Sequence, residues 1–326
     1  MNKSPIYVDP LTRTQLSLEV LEAGCEQVVR AQFINTAGIK YEVINGIPDF
    51  RVNLSQLQWL DYYENKAATY DDFCYLTFTL QGFEEEQTRE YVVSKLTIQP
   101  GEKILEIGCG TGKDSLIISK QLGDSGELYL LDVSPAMLTK CREKLSSRTA
   151  HTEFVLADSV ALPFPVGYFD KVFSFVTLPA ISNISQCIKE ITRVSKPGAK
   201  IVIGSEGLLP SLKNTLFGKL TIRNCDLYDH EVPLKDLPPV AQNVKVEWIL
   251  NGIIFLLEFN VAATEPAAST MMIPGKRGGS LYTRYFGQLE GVSNETKQLA
   301  LAAMKKSTLT NHEWLSHVII EAAKKL

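Results

Sequence analysis

Two periodicities alternate along the middle of the chain. ILEI (104–107) is a continuous apolar run of the kind found in a strand covered on both faces, and after it Leu116, Ile117 and Leu122 recur at helical spacing. ELYLLD (127–132) repeats the strand pattern, and a helix is expected from Pro135 to Leu145. Ser134-Pro135 supports that start, because serine can accept from an orphan amide and proline's fixed φ suits a first helical position. EFVLAD (153–158), KVFSFV (171–176) and KIVIG (200–204) read as three further strands. Between the last two, Ile184, Cys187, Ile188, Ile191 and Val194 have helical apolar spacing. Strand and helix in alternation predict an α/β fold, a doubly wound and mostly parallel sheet with helices on both faces.

Beyond that core, VEWILNGIIFLLEF sets Asn251-Gly252 between two apolar runs, the pair best suited to a tight turn, so an antiparallel hairpin is expected at 245–262 along one sheet edge. Residues 1–55 read as a small β-rich region, 56–97 as a helical lid or linker, 98–263 as the main domain and 264–326 as a C-terminal loop and helical extension. Two helices are expected there, at 294–306 and 311–325, the second with Trp314, Leu315, Val318, Ile319 and Ala322 on one face. His151 is expected in the connection before the third strand.

Composition narrows the class. The 326 residues are 45% hydrophobic, which supports a packed core, and a net charge of −4 gives no general basic field for a nucleic-acid backbone. No apolar stretch is long enough to span a bilayer, and MNKSPIYVDPLTR lacks the apolar core of a signal peptide, so a cytoplasmic address is expected. The six cysteines, at 25, 74, 109, 141, 187 and 225, form no C-x-x-C pair, which fits reduced thiols and no metal site.

The chemistry lies in ILEIGCGTGKDS (104–115). Glycines at a strand-to-helix turn let a ligand touch the backbone, beside amides left unpaired at the helix start. Gly108, Gly110 and Gly112 form G-x-G-x-G, and Lys113 stands where a dinucleotide fold has its third glycine. The P-loop pattern fails as well, because no Ser or Thr follows the lysine.

Leu105-Glu106-Ile107-Gly108-Cys109-Gly110-Thr111-Gly112 resembles the glycine signature of class I S-adenosylmethionine-dependent methyltransferases, and further motifs follow in order over roughly 98–206. The resemblance implies a Rossmann-like fold with S-adenosyl-L-methionine as cofactor. It implies that Glu106 faces the amino end of the methionine part and that the cofactor lies on the loop of Gly108, Cys109, Gly110 and Gly112. In LLDVSPAML it implies that Asp132 holds the ribose hydroxyls, next to Val133, with Met137 against the adenine. In LADSVALPFPVGYFDKVFSFVTL it places Asp158 and Ser159 near the adenine amino edge and Phe175 or Val176 along the cofactor. Tyr70-Asp71 matches a YD element of the family, which makes Tyr70 a further cofactor contact.

Methyl transfer from a sulfonium is an in-line displacement, so alignment and exclusion of water supply much of the rate, and a base is needed only if the nucleophile must lose a proton. Where quinone-methylating relatives have a His pair, this chain reads Leu178-Pro179-Ala180. His230, in the acidic loop NCDLYDHEVP, is the best candidate base among the four histidines, set against a solvated loop histidine. In MIPGKRGGSLYTRYFG, Arg277, Tyr282 and Arg284 gather cationic and aromatic groups as a candidate substrate clamp, set against an ordinary surface turn.

The N-terminal IYVDPLTRTQL with YEVINGIPDFR resembles a small zinc-ribbon family that accompanies tRNA and rRNA methyltransferases. Asp9-Pro10-Leu11-Thr12 stands where C-P-x-C would, so no zinc is expected. The reading is methyl transfer to a small-molecule acceptor, with nucleic acid and membrane disfavoured as partners and the oligomeric state open. Its alternatives are a cofactor-binding protein that runs another reaction or serves as a partner subunit, and an RNA methyltransferase.

Overall fold

A computed structural model describes residues 6–23, 28–52, 59–146 and 151–263, together with Ala303, Lys306, Val318 and Glu321. The chain divides into a unit of residues 1–266 and a second of 267–326. In the second, those four residues are helical and fall within the two expected helices; the candidate clamp residues Arg277, Tyr282 and Arg284 lie outside the described residues.

The first unit begins with a four-stranded antiparallel sheet, β1 (Ser17–Ala23), β2 (Val28–Ile34), β3 (Lys40–Ile44) and β4 (Ile47–Pro48), paired in chain order. Asp9 is fully buried at its end. Its carboxylate accepts from the amides of Leu11 and Thr12 at 2.8 and 2.7 Å, from the Asn35 side chain at 2.7 Å and from the Tyr41 hydroxyl at 3.0 Å. Four donors satisfy a charge that would otherwise be costly to bury.

Four helices follow: α1 (Leu60–Lys66), α2 (Tyr70–Phe73), α3 (Leu76–Thr79) and α4 (Glu85–Ser94). The main sheet then alternates β5 (Lys103–Ile107), α5 (Lys113–Leu122), β6 (Glu127–Asp132), α6 (Pro135–Leu145), β7 (His151–Leu156), β8 (Phe169–Phe175), α7 (Ile184–Val194) and β9 (Ser195–Glu206). Two short helices, α8 (Pro210–Lys213) and α9 (Leu216–Asn224), precede the hairpin β10 (Ala241–Ile249) and β11 (Ile254–Val261). The strand order is β10-β11-β9-β8-β5-β6-β7, parallel from β7 through β9, with β11 antiparallel to both of its neighbours.

Sequence and structure agree closely in the middle. Ser134 caps α6 by accepting from the Met137 amide at 3.1 Å, a contact whose loss typically costs about 1 kcal/mol. On α7, Cys187, Ile188, Ile191 and Val194 are all buried against the sheet, and burial of each large aliphatic side chain is worth roughly 1.5–3 kcal/mol.

Three expectations shift. His151 opens β7, paired with Glu127, and does not lie in the connection. β9 starts at Ser195, which pairs with Phe169 of β8 ahead of an irregularity that holds the KPG segment; regular pairing resumes at Lys200. The hairpin turn is wider than Asn251-Gly252: Leu250, Asn251 and Gly252 all have positive φ, which tucks the Leu250 side chain into the core.

The small sheet docks on the β7 edge of the large one. The Phe50 amide donates to the Leu156 carbonyl at 2.7 Å, and Tyr7, Phe33, Tyr41 and Phe50 pack together with Phe164 at ring separations of 5.0–5.7 Å. That contact covers part of an edge that would otherwise offer unpaired backbone groups. The strand order reverses between β5 and β8, and a doubly wound sheet opens its ligand crevice at that point, at the carboxyl ends of the strands.

Candidate active site

A cleft of about 1000 Å³, counting its open mouth, lies at that reversal. Its floor is the turn from β5 to α5, with Gly108, Cys109 and Gly110. One wall is the end of β6 with Asp132, Val133 and Met137, the next is Asp158 and Ser159 after β7, and the last is Phe175, Val176 and Thr177 after β8. α1, α2 and α4 close over it with Trp59, Tyr63, Tyr70 and Arg89.

The three glycines have different duties. A Cβ on Gly108 would fall 2.4 Å from the Thr177 side chain, and one on Gly112 would fall 2.6 Å from the Cys141 sulfur, so both are required by the protein's own packing. Gly110, at φ +53°, has nothing within 4 Å of that position. Its bare face is therefore the one a ligand can approach.

Asp132 ties the loop to the next strand. Its carboxylate accepts from the amides of Gly110 and Ser134, both at 2.9 Å, and each oxygen keeps a further lone pair for a donor in the cleft. Burial pushes its pKa above the usual carboxylate value, against the lowering effect of those amides. Asp158 is raised for the same reason; it accepts from the Val160 amide at 3.1 Å.

Of the residues that sequence reading assigned to the cofactor, Gly108, Cys109, Gly110, Asp132, Val133, Met137, Asp158, Ser159, Phe175 and Tyr70 are brought together along the cleft. Gly112 stands behind it as the residue that starts α5. Glu106, in β5, is 2% exposed and not among the residues that line the cleft; one carboxylate oxygen is unpartnered, and burial and Asp114 raise its pKa.

Several residues that sequence reading missed are here as well. Arg89 enters from α4, held by Glu85 at 2.8 Å and Asp114 at 2.6 Å and lying over the rings of Phe78 and Phe175. Val176, which the sequence reading did name beside Phe175, is a β-branched residue at φ +58° and sits where the cleft meets a second chamber. Such a backbone is costly and collects at functional sites.

Trp59, Tyr62, Tyr63, Tyr70 and Phe78 wall that chamber, and Glu206 lies in it at the end of β9. Burial raises the Glu206 carboxyl above its usual value, and burial also pushes the Tyr63 hydroxyl up to about 12, with Glu206 and Asp132 adding to it. Glu206 had a signal in the sequence: like Asp132 it is an acid at or just beyond the end of a parallel strand. His230 follows the 3-10 turn Asp226–Asp229; its Nδ1 lies 2.9 Å from the Leu227 carbonyl, and it is close to Glu206 without being among the residues that wall either space.

Two tethers hold the helical cover in place. The Glu64 carboxylate of α1 accepts from the Ser134 hydroxyl and the Ala136 amide at the start of α6. Asp71 of α2 accepts from the Thr111 hydroxyl at 2.6 Å and from Lys144 at 2.7 Å.

Among the described residues no cluster of metal-ligating side chains occurs, no helix is long and apolar enough to cross a membrane, and Cys74, Cys109, Cys141, Cys187 and Cys225 are free thiols. The open face of Gly110, the spare acceptor sites of Asp132 and the Asp158 carboxyl just beyond β7 fit a cofactor with hydroxyl and amino donors.

The fold and the cleft are those of a Rossmann-like, doubly wound domain. Residues 104–198 match the family model described as "Methyltransferase domain". Among curated relatives, the ubiquinone/menaquinone biosynthesis C-methyltransferase UbiE of Cupriavidus metallidurans is 33% identical over 113 residues, 35% of this chain and 46% of that protein. UbiE of Laribacter hongkongensis is 32% identical over 153 residues, 44% of this chain and 63% of that protein. The chain thus spans about half the length of the curated relatives it matches. A solved S-adenosylmethionine-dependent methyltransferase from Aquifex aeolicus is similar at 18% identity and a TM-score of 0.42, covering 61% of this chain and 98% of that one.

Proposed function

We propose that the chain transfers a methyl group from S-adenosylmethionine to a small-molecule acceptor by direct displacement. One observation carries the reading: the cofactor-type cleft continues, past Val176, Tyr63 and Tyr70, into a separate chamber walled by aromatic side chains. Two adjoining spaces suit two reactants held in line.

In this reading Asp132 receives the ribose hydroxyls and Gly110 lets the ligand lie on the backbone. Asp158 and Ser159 meet the adenine amino edge, Met137 and Phe175 flank the cofactor, and Tyr70 covers it. The cofactor supplies an electrophilic methyl on a sulfonium. The chain's own contribution is alignment, together with exclusion of water by the aromatic cover over α1 and α2.

The N-terminal sheet serves as packing in this reading. Asp9, standing where a ribbon's first metal-binding cysteine would, satisfies its knuckle with four hydrogen bonds. The net charge of −4 supports a small acceptor over RNA.

The test is calorimetric binding of S-adenosylhomocysteine, followed by transfer of a labelled methyl group to a small-molecule extract. Binding with transfer supports the reading. Binding with no labelled product sinks methyl transfer in favour of another reaction or a partner role, and no binding sinks the cofactor assignment as well.

A further inference from the structure

The chamber beside the cleft has a chemistry of its own. Trp59 and Tyr62 lie 5.7 Å apart between ring centroids, Tyr62 and Tyr63 5.3 Å, and Tyr63 and Tyr70 6.4 Å, so aromatic faces and hydroxyls succeed one another around the space. Among them stands a single carboxylate. Glu206 accepts from the adjacent Ser205 hydroxyl at 3.2 Å and is paired with no lysine or arginine among the described residues.

The cations that border the chamber do not answer it. Arg89 is held by both Glu85 and Asp114, and Lys66 is an exposed residue in the last turn of α1. Lys113 shares Glu85 with Arg89, so these two cations are matched by Glu85 and Asp114, and Glu206, with only His230 near it, is left without a lysine or arginine among the described residues. A carboxylate in an apolar enclosure stabilises a cation strongly, and aromatic faces attract the same charge through their quadrupoles.

We propose that this chamber is the acceptor site and that its acceptor is an amine, bound as an ammonium between the aromatic rings and Glu206, which then takes the proton. The proposal rests on the methyl-transfer reading and narrows it to a substrate class. In the proton step one N–H bond breaks and one O–H bond forms. The ammonium becomes a neutral amine with a free lone pair, and the carboxylate becomes a neutral carboxylic acid. The raised pKa of a half-enclosed carboxyl brings it nearer to that of the proton donor, which suits such a transfer. A flat or compact apolar body fits the remaining walls.

The test needs no knowledge of the natural acceptor. Benzylammonium, benzyl alcohol and benzoate share one ring and differ in charge, and their affinities are measured by calorimetry on the full chain saturated with S-adenosylhomocysteine. The expected order is ammonium, then alcohol, then carboxylate, with the ammonium at least tenfold tighter than the alcohol. In Glu206→Gln that preference disappears while S-adenosylhomocysteine affinity stays the same. Equal binding of the three probes, or a preference for the ammonium that survives in Glu206→Gln, overturns the proposal.

The order on the wild-type chain stands even if the variant folds poorly, so the result does not depend on one substitution. Loss of S-adenosylhomocysteine binding by the wild-type chain would instead strike at the methyl-transfer reading, and the two failures are thereby told apart.

Discussion

The Gly110 amide donates to the Asp132 carboxylate at 2.9 Å, which makes the glycine loop and the end of β6 one hydrogen-bonded unit. The same acid therefore shapes the floor of the cleft and offers its free lone pairs to a ligand. Asp132→Ala removes both effects. Two hydrogen bonds to a charged group are worth about 1.5–3 kcal/mol each, so S-adenosylhomocysteine affinity is expected to fall roughly a hundredfold or more by calorimetry. A change of less than threefold would remove Asp132 from the cofactor site.

Asp132 also predicts a pH dependence. Its raised pKa in the free protein means that protonation on acidification begins above the ordinary aspartate range, and the protonated form has fewer acceptor sites. Affinity for S-adenosylhomocysteine should therefore weaken as pH falls through that raised value. In Asp132→Asn the affinity should be lower at neutral pH and lose this part of the pH dependence. A wild-type profile flat down to the ordinary aspartate pKa would contradict the assignment.

Gly108 and Gly110 separate packing from binding. Gly110→Ala adds a methyl group in open space at a left-handed φ, which costs about 1–2 kcal/mol of backbone strain and obstructs the ligand. A folded protein with poor S-adenosylhomocysteine binding is expected. Gly108→Ala drives a methyl into Thr177, and its main effect should be a lowered melting temperature, read by differential scanning calorimetry. The reverse pattern would mean that the ligand approaches at Gly108.

The sequence made the α/β core legible because each element there obeys one period: α6 and α7 bury the faces their spacing implies, and Ser134 caps as its type and position suggest. The cleft was legible where its residues sit in short motifs, as Asp132 and Asp158 do. Arg89 and Trp59 were not, since they arrive from helices far earlier in the chain and only tertiary packing brings them to the site. The chamber around Glu206 was hidden for a related reason: its walls come from α1, α2, α3 and β9.

The Asp71 tether should respond to acid. Burial alone would raise the Asp71 pKa, but bonds from Lys144 and Thr111 outweigh it and hold the carboxyl below its usual value. A lowered folded pKa means that the stabilisation is present above the unfolded value of about 3.9 and is lost as pH falls through the folded one. Asp71 is 41% exposed, so solvent screening limits the pair to about 1 kcal/mol, or roughly 2–4 °C in melting temperature. Asp71→Asn should show that deficit at pH 7 and converge with the parent below the ordinary aspartate range; a difference that persists unchanged at low pH would locate the effect elsewhere.

Arg89 carries the largest expected effect on stability. It is buried, its guanidinium takes Glu85 at 2.8 Å and Asp114 at 2.6 Å, and it lies 5.4 Å from the Phe78 ring centre and 5.6 Å from that of Phe175. Asp114 leans on it: its second oxygen is buried without a partner, and burial raises its pKa against the lowering effects of Arg89 and Lys113. Arg89→Met keeps much of the side-chain volume and strands that carboxylate, which by analogy with other broken buried pairs costs about 3–5 kcal/mol. The double variant Arg89→Met with Asp114→Leu removes the stranded charge together with its partner and should recover most of the loss in urea unfolding. If the single variant lies within about 1 kcal/mol of the parent, or the double variant is no better than the single, the ion pair is not what holds α4 against α5.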